Sequence, residues 1–297
     1  MGMAQKHKAP TLRQFQAQFP TEESCLDHLM RTRYGDRHDC EGCGKSARFY
    51  RIKARRSYSC EWCGHQVYPT ANTPFERTRT SLRDWFYVMF LFTTTRNGVA
   101  AKRVQRELGV TYKTAWRMCD EIRKYMAEVD SNDPVGGDGI VEIDETLIGG
   151  KVRGSGKRGR HLENKAVVLG MVERGGEIVT RIVPNVKRAS LLPEIVANVE
   201  PGATVHTDYL HSYRILGEIG FKHDRVNHAA GEYVSKSGCH TQTLDSFWAQ
   251  LKRGISGTYI HVSEKHLPKY LAEFEYRWNM RAEPHAMLSR LMTAFAR

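Results

Sequence analysis

Three aspartates have the residue type and the setting to bind metal ions. Asp144 lies in VEID, within a run that predicts a strand, and Asp208 ends the predicted strand VHTD. Acidic residues are depleted in strands, so each needs an explanation. Asp245 lies in HTQTLDSFWAQLKRGI, which has the pattern of an amphipathic helix. Carboxylates from two neighbouring strands and a following helix can converge on hard cations such as Mg²⁺ or Mn²⁺.

Such a site predicts chemistry at a phosphodiester. Two ions about 4 Å apart can activate the attacking oxygen and stabilise the leaving oxygen of the displacement. Lys252 lies two turns beyond Asp245 on the same predicted helical face, where it can hold a phosphate of bound DNA. Trp248 lies between them and can pack there or against a base. Taken alone, Asp208 also fits a helix N-cap, and Asp144 also fits a strand-end residue that faces water.

Other acids nearby offer alternatives to these ligands. Glu142 and Glu145 lie on the same predicted strand as Asp144, and Glu232 is a weaker substitute for the third ligand. Because side chains alternate along a strand, Glu145 is expected to point away from Asp144. We therefore expect Glu145 to be a surface residue or to support the ligands from behind.

Four cysteines have the spacing of a structural zinc site. Residues 36–69 read DRHDCEGCGKSARFYRIKARRSYSCEWCGHQVYP, with two Cys-x2-Cys pairs that are each followed by Gly. The four predicted ligands of Zn²⁺ are Cys40, Cys43, Cys60 and Cys63. Four unrelated thiols would not share this paired spacing. A catalytic zinc is disfavoured because four cysteine ligands leave no open coordination position. The pattern predicts a zinc ribbon whose strands include FYRI and SYSC.

A basic helical region follows the cysteines. SLRDWFYVMFLFTTT predicts a helix that Ser81 caps, and NGVAAKRVQRELGVTYKTAWRMCDEIRKYM predicts two helices joined at Leu108-Gly109-Val110. The second helix carries an apolar stripe and a set of cations. This pattern is typical of a DNA-binding helix-turn-helix, and the alternative is a helical hairpin with a solvated basic face. The cations predicted to contact DNA are Lys113, Arg117, Arg123 and Lys124.

The charge of the chain supports a polyanionic partner. The 297 residues have a net charge of +12. Residues 1–128 hold 23 Lys/Arg against 13 Asp/Glu, a balance of +10, and the remainder holds 22 against 20, a balance of +2. This indicates nucleic acid or an anionic membrane surface as the partner of the first part.

Hydropathy gives no indication of a membrane protein. The longest apolar run, WFYVMFLF at 85–92, is far shorter than the roughly 20 residues that a spanning helix needs. The first residues contain no apolar signal core, so a cytoplasmic location is expected. In that compartment seven cysteines indicate metal binding or free thiols rather than disulfides.

The second part of the chain predicts an α/β domain. After the linker SNDPVGGDG at 131–139, three strands, a helix, a strand, a helix, a strand and two helices predict a mixed sheet. The basic loop GGKVRGSGKRGR at 149–160 fits either a hairpin tip or a phosphate contact. The predicted divisions are a helical segment at 1–35, the zinc ribbon at 36–72, the helix-turn-helix domain at 80–130 and the α/β domain at 136–285.

Several motifs, taken in order, resemble the transposases of bacterial insertion sequences, in their ISXO-two-like subgroup. They are VEIDETLIGGK, HTD followed by Tyr213, VNHAAGEYV, HTQTLDSFWAQLKRGI with G-x-Y, and KHLPKYLAEFEYRWN-x-R, and the resemblance covers about residues 20–285. It implies a zinc ribbon, a helix-turn-helix and a ribonuclease-H-like catalytic domain. It also implies Asp144, Asp208 and Asp245 as the catalytic acids, with Lys252 beside them.

The activity implied by this resemblance is Mg²⁺-dependent cleavage of double-stranded DNA at transposon ends. The freed 3′-OH then attacks target DNA, and the protein acts as a homo-oligomer on DNA in the nucleoid. The sequence departs from the family pattern at Gln242, where most members have Asn, and at Asp245, where most have Glu. The alternatives are a domesticated, catalytically impaired DNA-binding protein and a structure-selective nuclease.

Overall fold

The computed structural model describes residues 8–130, 133–137, 139–149, 165–235 and 237–296. Most of the basic loop at 149–160 lies outside these residues, so the two interpretations of that loop stay predictions. In chain order the α-helices of the described residues are α1 (Leu12–Gln18), α2 (Glu22–Tyr34), α3 (Leu82–Thr94), α4 (Ala101–Leu108), α5 (Tyr112–Val129), α6 (Arg188–Asn198), α7 (Gln242–Gly254), α8 (Leu267–Asn279) and α9 (Met287–Phe295).

The strands that the structure describes fall into three sheets. In chain order those of the described residues are β1 (His38–Asp39), β2 (Ser46–Ala47), β3 (Phe49–Ile52), β4 (Ser57–Cys60), β5 (Gln66–Val67), β6 (Ile140–Gly149), β7 (Lys165–Glu173), β8 (Ile178–Val183), β9 (Thr204–Thr207) and β10 (Lys222–Arg225). The first five strands form a two-stranded and a three-stranded antiparallel sheet, and the last five form one mixed sheet.

The chain divides into two compact units. The first contains Met1–Thr95, Ala101–Val129 and Ala282–Arg297, and the second contains Arg96–Ala100 and Asp130–Arg281. The helix α9 therefore belongs to the first unit, although it lies at the end of the chain. The predicted domain boundaries did not include α9. There the Phe295 ring packs against Phe75 and Tyr125, at centroid distances of 5.5 and 4.0 Å.

The helices of the first unit follow the sequence pattern. Oγ of Ser81 accepts a hydrogen bond from the Asp84 N–H at 3.0 Å, so it caps α3 as predicted. The apolar run at 85–92 is buried along this helix except at Tyr87, which is half-buried. The helices α4 and α5 are joined by the predicted turn, and Oγ1 of Thr111 accepts from the Thr114 N–H at 3.2 Å. The apolar stripe of α5 (Ala115, Met118 and Ile122) is fully buried.

The second unit is built on the five-stranded sheet, with the order β10-β9-β6-β7-β8. The strands β6, β7 and β8 form an antiparallel meander, whereas β9 is parallel to β6 and β10 is parallel to β9. The crossover from β8 to β9 contains α6, as a parallel connection requires. The predicted helix after Asp208 is a 3₁₀-helix at His211–Gly217.

Both faces of this sheet are covered by apolar side chains. Leu191 and Ile195 of α6 and Tyr213 pack on one face with Ile143 and Val205. The other face contacts α7 and α8 through residues that include Leu244, Phe247, Trp248, Leu251, Leu271 and Phe274. Burial on both faces fixes the sheet register, and that register determines where the acids of β6 lie.

Across the ranges that the structure describes, no helix combines the length and the apolar content needed to cross a membrane.

Candidate active site and metal centre

The register of two parallel strands brings Asp144 and Asp208 together. Ile143 of β6 is paired with Thr207, the last residue of β9, so the next residue on each strand is an aspartate. Carboxylate oxygens of Asp144, Glu145 and Asp208 all lie within 4.8 Å of one another. We call these three residues the acidic cluster. Their oxygens are hard donors of the kind that Mg²⁺ and Mn²⁺ prefer.

Asp144 is held by the indole of Trp248. The Trp248 Nε1–H donates to Oδ2 of Asp144 at 3.0 Å, and the Trp248 side chain is only 4% exposed. Gly170 makes this approach possible, because it is the direct β7 partner of Asp144 and an added Cβ would lie 2.5 Å from Cζ2 of Trp248. Burial, with the neighbouring carboxylates of Glu145 and Asp208, raises the pKa of Asp144 to about 7. A cation at the cluster would relieve this repulsion.

Asp208 and Glu145 are each oriented by a hydrogen bond. Oδ1 of Asp208 accepts from the Leu210 N–H at 2.9 Å, which holds the carboxylate at the end of β9. Oε2 of Glu145 accepts from the Tyr213 hydroxyl at 2.8 Å. Burial, followed by the charge of Glu145, raises the pKa of Tyr213 well above its ordinary value, so the phenol stays a donor.

The position of Glu145 corrects the expectation of a surface residue. Alternation along β6 does direct it to the opposite face, where it meets Tyr213. It is nevertheless 9% exposed and belongs to the acidic cluster. The physical reason is that β9 ends opposite Ile143, so no strand separates the two faces beside positions 144 and 145.

Asp245 lies in the first turn of α7 and is exposed. It is not among the carboxylates that lie within 4.8 Å of one another in the described part of the chain. Trp248, three residues later, contacts Asp144, so the first turn of α7 lies beside the acidic cluster. Lys252 is exposed, whereas Trp248 is buried. Burial excludes the interpretation of Trp248 as a base-stacking residue and supports the packing interpretation.

The two other acids have structural partners. Oε2 of Glu232 accepts from the Asn227 N–H at 3.2 Å within the loop before α7. Glu142 is completely buried and accepts hydrogen bonds from the start of α7. Sequence patterns did not predict these roles of Glu142, Trp248 and Tyr213. A partial signal was present in the sequence only for Glu142, which lies two residues before Asp144 and therefore on the same face of the predicted strand.

A second group of metal-ligand residue types does not fit a metal. Atoms of His206, Asp224 and Cys239 lie within 4.8 Å of one another. However, Nη2 of Arg174 lies 3.0 Å from Nδ1 of His206, and a guanidinium can only donate. Burial, followed by the charge of Arg174, also lowers the pKa of His206, which favours the neutral ring. A neutral ring that accepts at Nδ1 carries its proton at Nε2, which leaves no lone pair for a cation.

The four predicted zinc ligands meet at one point. Ligand atoms of Cys40, Cys43, Cys60 and Cys63 lie within 4.8 Å of one another, and the Sγ atoms of Cys40 and Cys63 are 3.6 Å apart. A tetrahedral site with Zn–S bonds of about 2.3 Å has sulfurs about 3.8 Å apart, so the group fits structural Zn²⁺. The two knuckles depend on Gly44 and Gly64, whose φ angles are +68° and +75°.

The basic residues of α5 divide into two groups. Lys113 and Arg117 are exposed, and an Arg117 guanidinium N–H donates to the Pro74 carbonyl at 3.2 Å. Lys124 is half-buried and forms ion pairs with Glu121 at 2.7 Å and Asp120 at 3.4 Å. Arg123 contradicts the prediction of a DNA contact: it is 3% exposed and its guanidinium lies over the Phe92 ring at 5.1 Å. Its position at the buried edge of the apolar stripe explains the error.

Together, the fold and the site define a zinc-ribbon protein with a carboxylate-lined site on a mixed α/β sheet. Two family models match the corresponding segments: an ISXO2-like transposase domain at residues 137–279 and a transposase zinc-ribbon domain at residues 20–66.

Two relatives agree with these matches. An uncharacterized protein in transposable element ISH50 of Halobacterium salinarum is 26% identical over 285 residues, which cover 90% of this chain and 94% of the relative. An uncharacterized transposase-like protein of Haemophilus influenzae is 33% identical over 103 residues, which cover 35% of this chain and 81% of the relative. This chain belongs to the ISXO2-like transposases of insertion sequences.

Proposed function

We propose that this transposase uses metal ions to cut double-stranded DNA at the ends of its element and to join the freed 3′-OH to target DNA. The observation that carries the proposal is the juxtaposition of Asp144, within β6, and Asp208, which directly follows the end of the parallel strand β9. We propose Asp144, Asp208 and Asp245 as the catalytic residues and ligands of two Mg²⁺ or Mn²⁺ ions.

The strand order supports a ribonuclease-H-like fold for the second unit. An antiparallel meander of three strands is followed by two strands that extend the sheet in parallel from its first strand. Asp144 lies on that first strand and Asp208 follows the neighbouring strand, so the acids lie beside each other at one sheet position. The helix α7 supplies Asp245 from one face of the sheet.

The chain's own residues hold the carboxylates in place for this chemistry. Trp248 orients Asp144, the Leu210 N–H orients Asp208, and Tyr213 keeps Glu145 directed at the cluster. Two bound ions would activate the attacking oxygen and stabilise the leaving oxygen. Lys252 is exposed two turns after Asp245, where its ammonium can bind a phosphate of the DNA.

We propose that the first unit binds the DNA ends. Its helices α4 and α5 form a helix-turn-helix in which α5 presents Lys113 and Arg117 to DNA. The net charge of +10 over residues 1–128 supports this assignment. We further propose that the protein acts as a homo-oligomer on DNA, since two ends must be cut and joined together.

The test uses the purified full chain with Mg²⁺ or Mn²⁺ and labelled DNA that carries this gene with its natural flanks. Every new 3′ end and every joined product is mapped. We expect cuts at a pair of inverted repeats, followed by joining. Asp144→Asn and Asp208→Asn are expected to lower cleavage at least about 10³-fold, because each removes a ligand charge from the metal site.

Binding of the same DNA by both variants, measured without divalent metal, is the control and should stay within about twofold of wild type. Cleavage that persists in either variant would contradict the proposed active site. Cutting of branched DNA without joined products would favour a structure-selective nuclease.

The second candidate function is a DNA-binding protein that has lost catalysis. The position of Asp245 outside the acidic cluster favours this alternative. Tight binding at the repeats without any metal-dependent cutting would support it.

A further inference from the structure

The start of α7 is capped from a distant strand. Thr241, the N-cap residue, makes no side-chain capping bond. The first backbone N–H groups of a helix have no partner within the helix and must find one elsewhere. Oε2 of Glu142 accepts from the N–H of Thr243 at 2.8 Å and from that of Leu244 at 3.2 Å. Oε1 accepts from the Thr243 hydroxyl at 2.9 Å.

The carboxylate of Glu142 is completely buried, and two side chains face its charge: that of Arg174, and that of His240, whose Nδ1 lies 3.3 Å from Oε1 of Glu142. Nε of Arg174 lies 2.7 Å from Oε1 of Glu142. Nη2 of the same arginine contacts Nδ1 of His206 and the carbonyl of His240, both at 3.0 Å. A buried carboxylate is stable only when its charge is paired and its lone pairs are satisfied, and here both conditions are met. Arg174 therefore connects Glu142 on β6, His206 on β9 and His240 in the segment before α7.

The same helix reaches the acidic cluster one turn later. Glu142 and Asp144 share a face of β6 because they are two residues apart. Glu142 binds the first turn of α7, and Asp144 binds Trp248 in its second turn. Two contacts between one strand and one helix fix both the position of the helix along the strand and its rotation about its own axis. Asp245 lies between these contacts along α7.

We propose that Glu142 is a positioning residue for transposition, which sets α7 on β6 so that Trp248 and Asp245 meet the metal site. The expected effect on cleavage rests on the proposed function, whereas the placement of α7 on β6 by Glu142 does not. A displacement of about 1 Å at a catalytic group can lower the rate about 100-fold. Loss of the cap should therefore slow cleavage while the affinity for DNA stays the same.

The test compares Glu142→Gln with Glu275→Gln in the full zinc-loaded protein. Glu275 is the matched control, since it also accepts a backbone N–H, that of Thr180 at 2.5 Å, but lies on α8. Both proteins are labelled with fluorotryptophan, and the Trp248 resonance among the five tryptophans is assigned from Trp248→Phe. Single-turnover cleavage is measured at saturating metal, and DNA affinity is measured in Ca²⁺.

We expect Glu142→Gln to shift the Trp248 fluorine resonance and to slow cleavage about 10- to 100-fold, with DNA affinity within about twofold. Glu275→Gln should leave the resonance and the cleavage rate unchanged. A Trp248 resonance that stays in place in folded Glu142→Gln overturns the proposal. Equal effects in both variants also overturn the proposal, because they indicate that the loss of either glutamate loosens the packing of the whole domain.

Thr243→Val provides the second variant if Glu142→Gln fails to fold. It removes only the hydroxyl contact to Glu142 and should move the same resonance by a smaller amount. An unmoved resonance in Thr243→Val then overturns the proposal. Absence of cleavage in the wild type would contradict the proposed function, while the fluorine resonance would still decide the positioning role.

Discussion

At the level of single residues, Glu145 and Asp245 are the two candidates for the third carboxylate of the metal site. Glu145 has the proximity, since it lies within the acidic cluster, but Tyr213 already engages one of its oxygens. Asp245 has the exposure and lies on the helix that contacts Asp144. An exposed carboxylate at the start of a helix can turn toward an arriving cation at little cost. We therefore expect Asp245 to complete the site when metal and DNA bind.

Asp245→Asn should lower metal-dependent cleavage at least about 100-fold, because it removes a charged ligand. Asp245→Glu, which adds one methylene, should retain activity within about tenfold. Glu145→Gln keeps an acceptor for Tyr213 and should also stay within about tenfold. The measurement is the cleavage rate as a function of Mg²⁺ concentration. A larger loss in Glu145→Gln than in Asp245→Asn would assign Glu145 as the third ligand.

At the scale of elements, α5 shows how one helix separates stabilising cations from cations available to a partner. Arg123 lies against the apolar side of the helix, over Phe92, whereas Lys113 and Arg117 lie near its start and are exposed. Lys124 is engaged by two acids of the same helix. A helix that reads DNA contacts base edges through the residues near its N-terminus, which agrees with this division.

Alanine at Lys113 and Arg117 should weaken binding to the element ends. It should also reduce the slope of log K against log salt by about 1 for each phosphate that the variant no longer neutralises. Lys124→Ala should change that slope little. Arg123→Ala should instead destabilise the protein by about 1–3 kcal/mol, because it removes a buried side chain together with its packing. Binding titrations at several salt concentrations and thermal unfolding measure the two effects. A full salt-slope change in Arg123→Ala at unchanged stability would refute this division.

At the level of the whole molecule, the two candidate metal sites lie in different units, and the net positive charge is concentrated in one part of the chain. The first unit holds the four cysteines that fit zinc, and most of the net positive charge lies in residues 1–128. The second unit holds the acidic cluster, which fits a hard cation. The two groups therefore differ in donor chemistry: thiolates suit zinc, and carboxylates suit a hard cation such as Mg²⁺.

The purified protein should contain one tightly bound zinc per chain. Cys60→Ser should lose it and unfold at a lower temperature, because a structural zinc contributes directly to folding free energy. Cys239→Ser is the matched control and should keep the full zinc content, since His206 has no lone pair to offer beside it. Elemental analysis and thermal unfolding provide the readings. Two zinc ions per chain, falling to one in Cys239→Ser, would contradict our interpretation of that group.

The sequence by itself determined the features that depend on local spacing. The zinc ligands follow from two Cys-x2-Cys pairs, the caps at Ser81 and Thr111 from hydroxyls before helical runs, and the strands from β-branched residues. The sequence also indicated the apolar stripe of α5, the aspartate within a strand (Asp144) and the aspartate at the end of another (Asp208). Each of these depends on interactions within a few residues, so periodicity and residue type are enough.

Only the tertiary structure decided which side chains meet across the sheet. Glu145 joins the acidic cluster because β9 stops opposite Ile143, and Glu142 caps a helix that is far from it in the chain. Trp248 reaches Asp144 over Gly170, and Arg123 turns inward onto Phe92. These contacts depend on strand register and on which helix covers which face. Neither leaves a local signature, because both are set by the burial of the whole apolar surface at once.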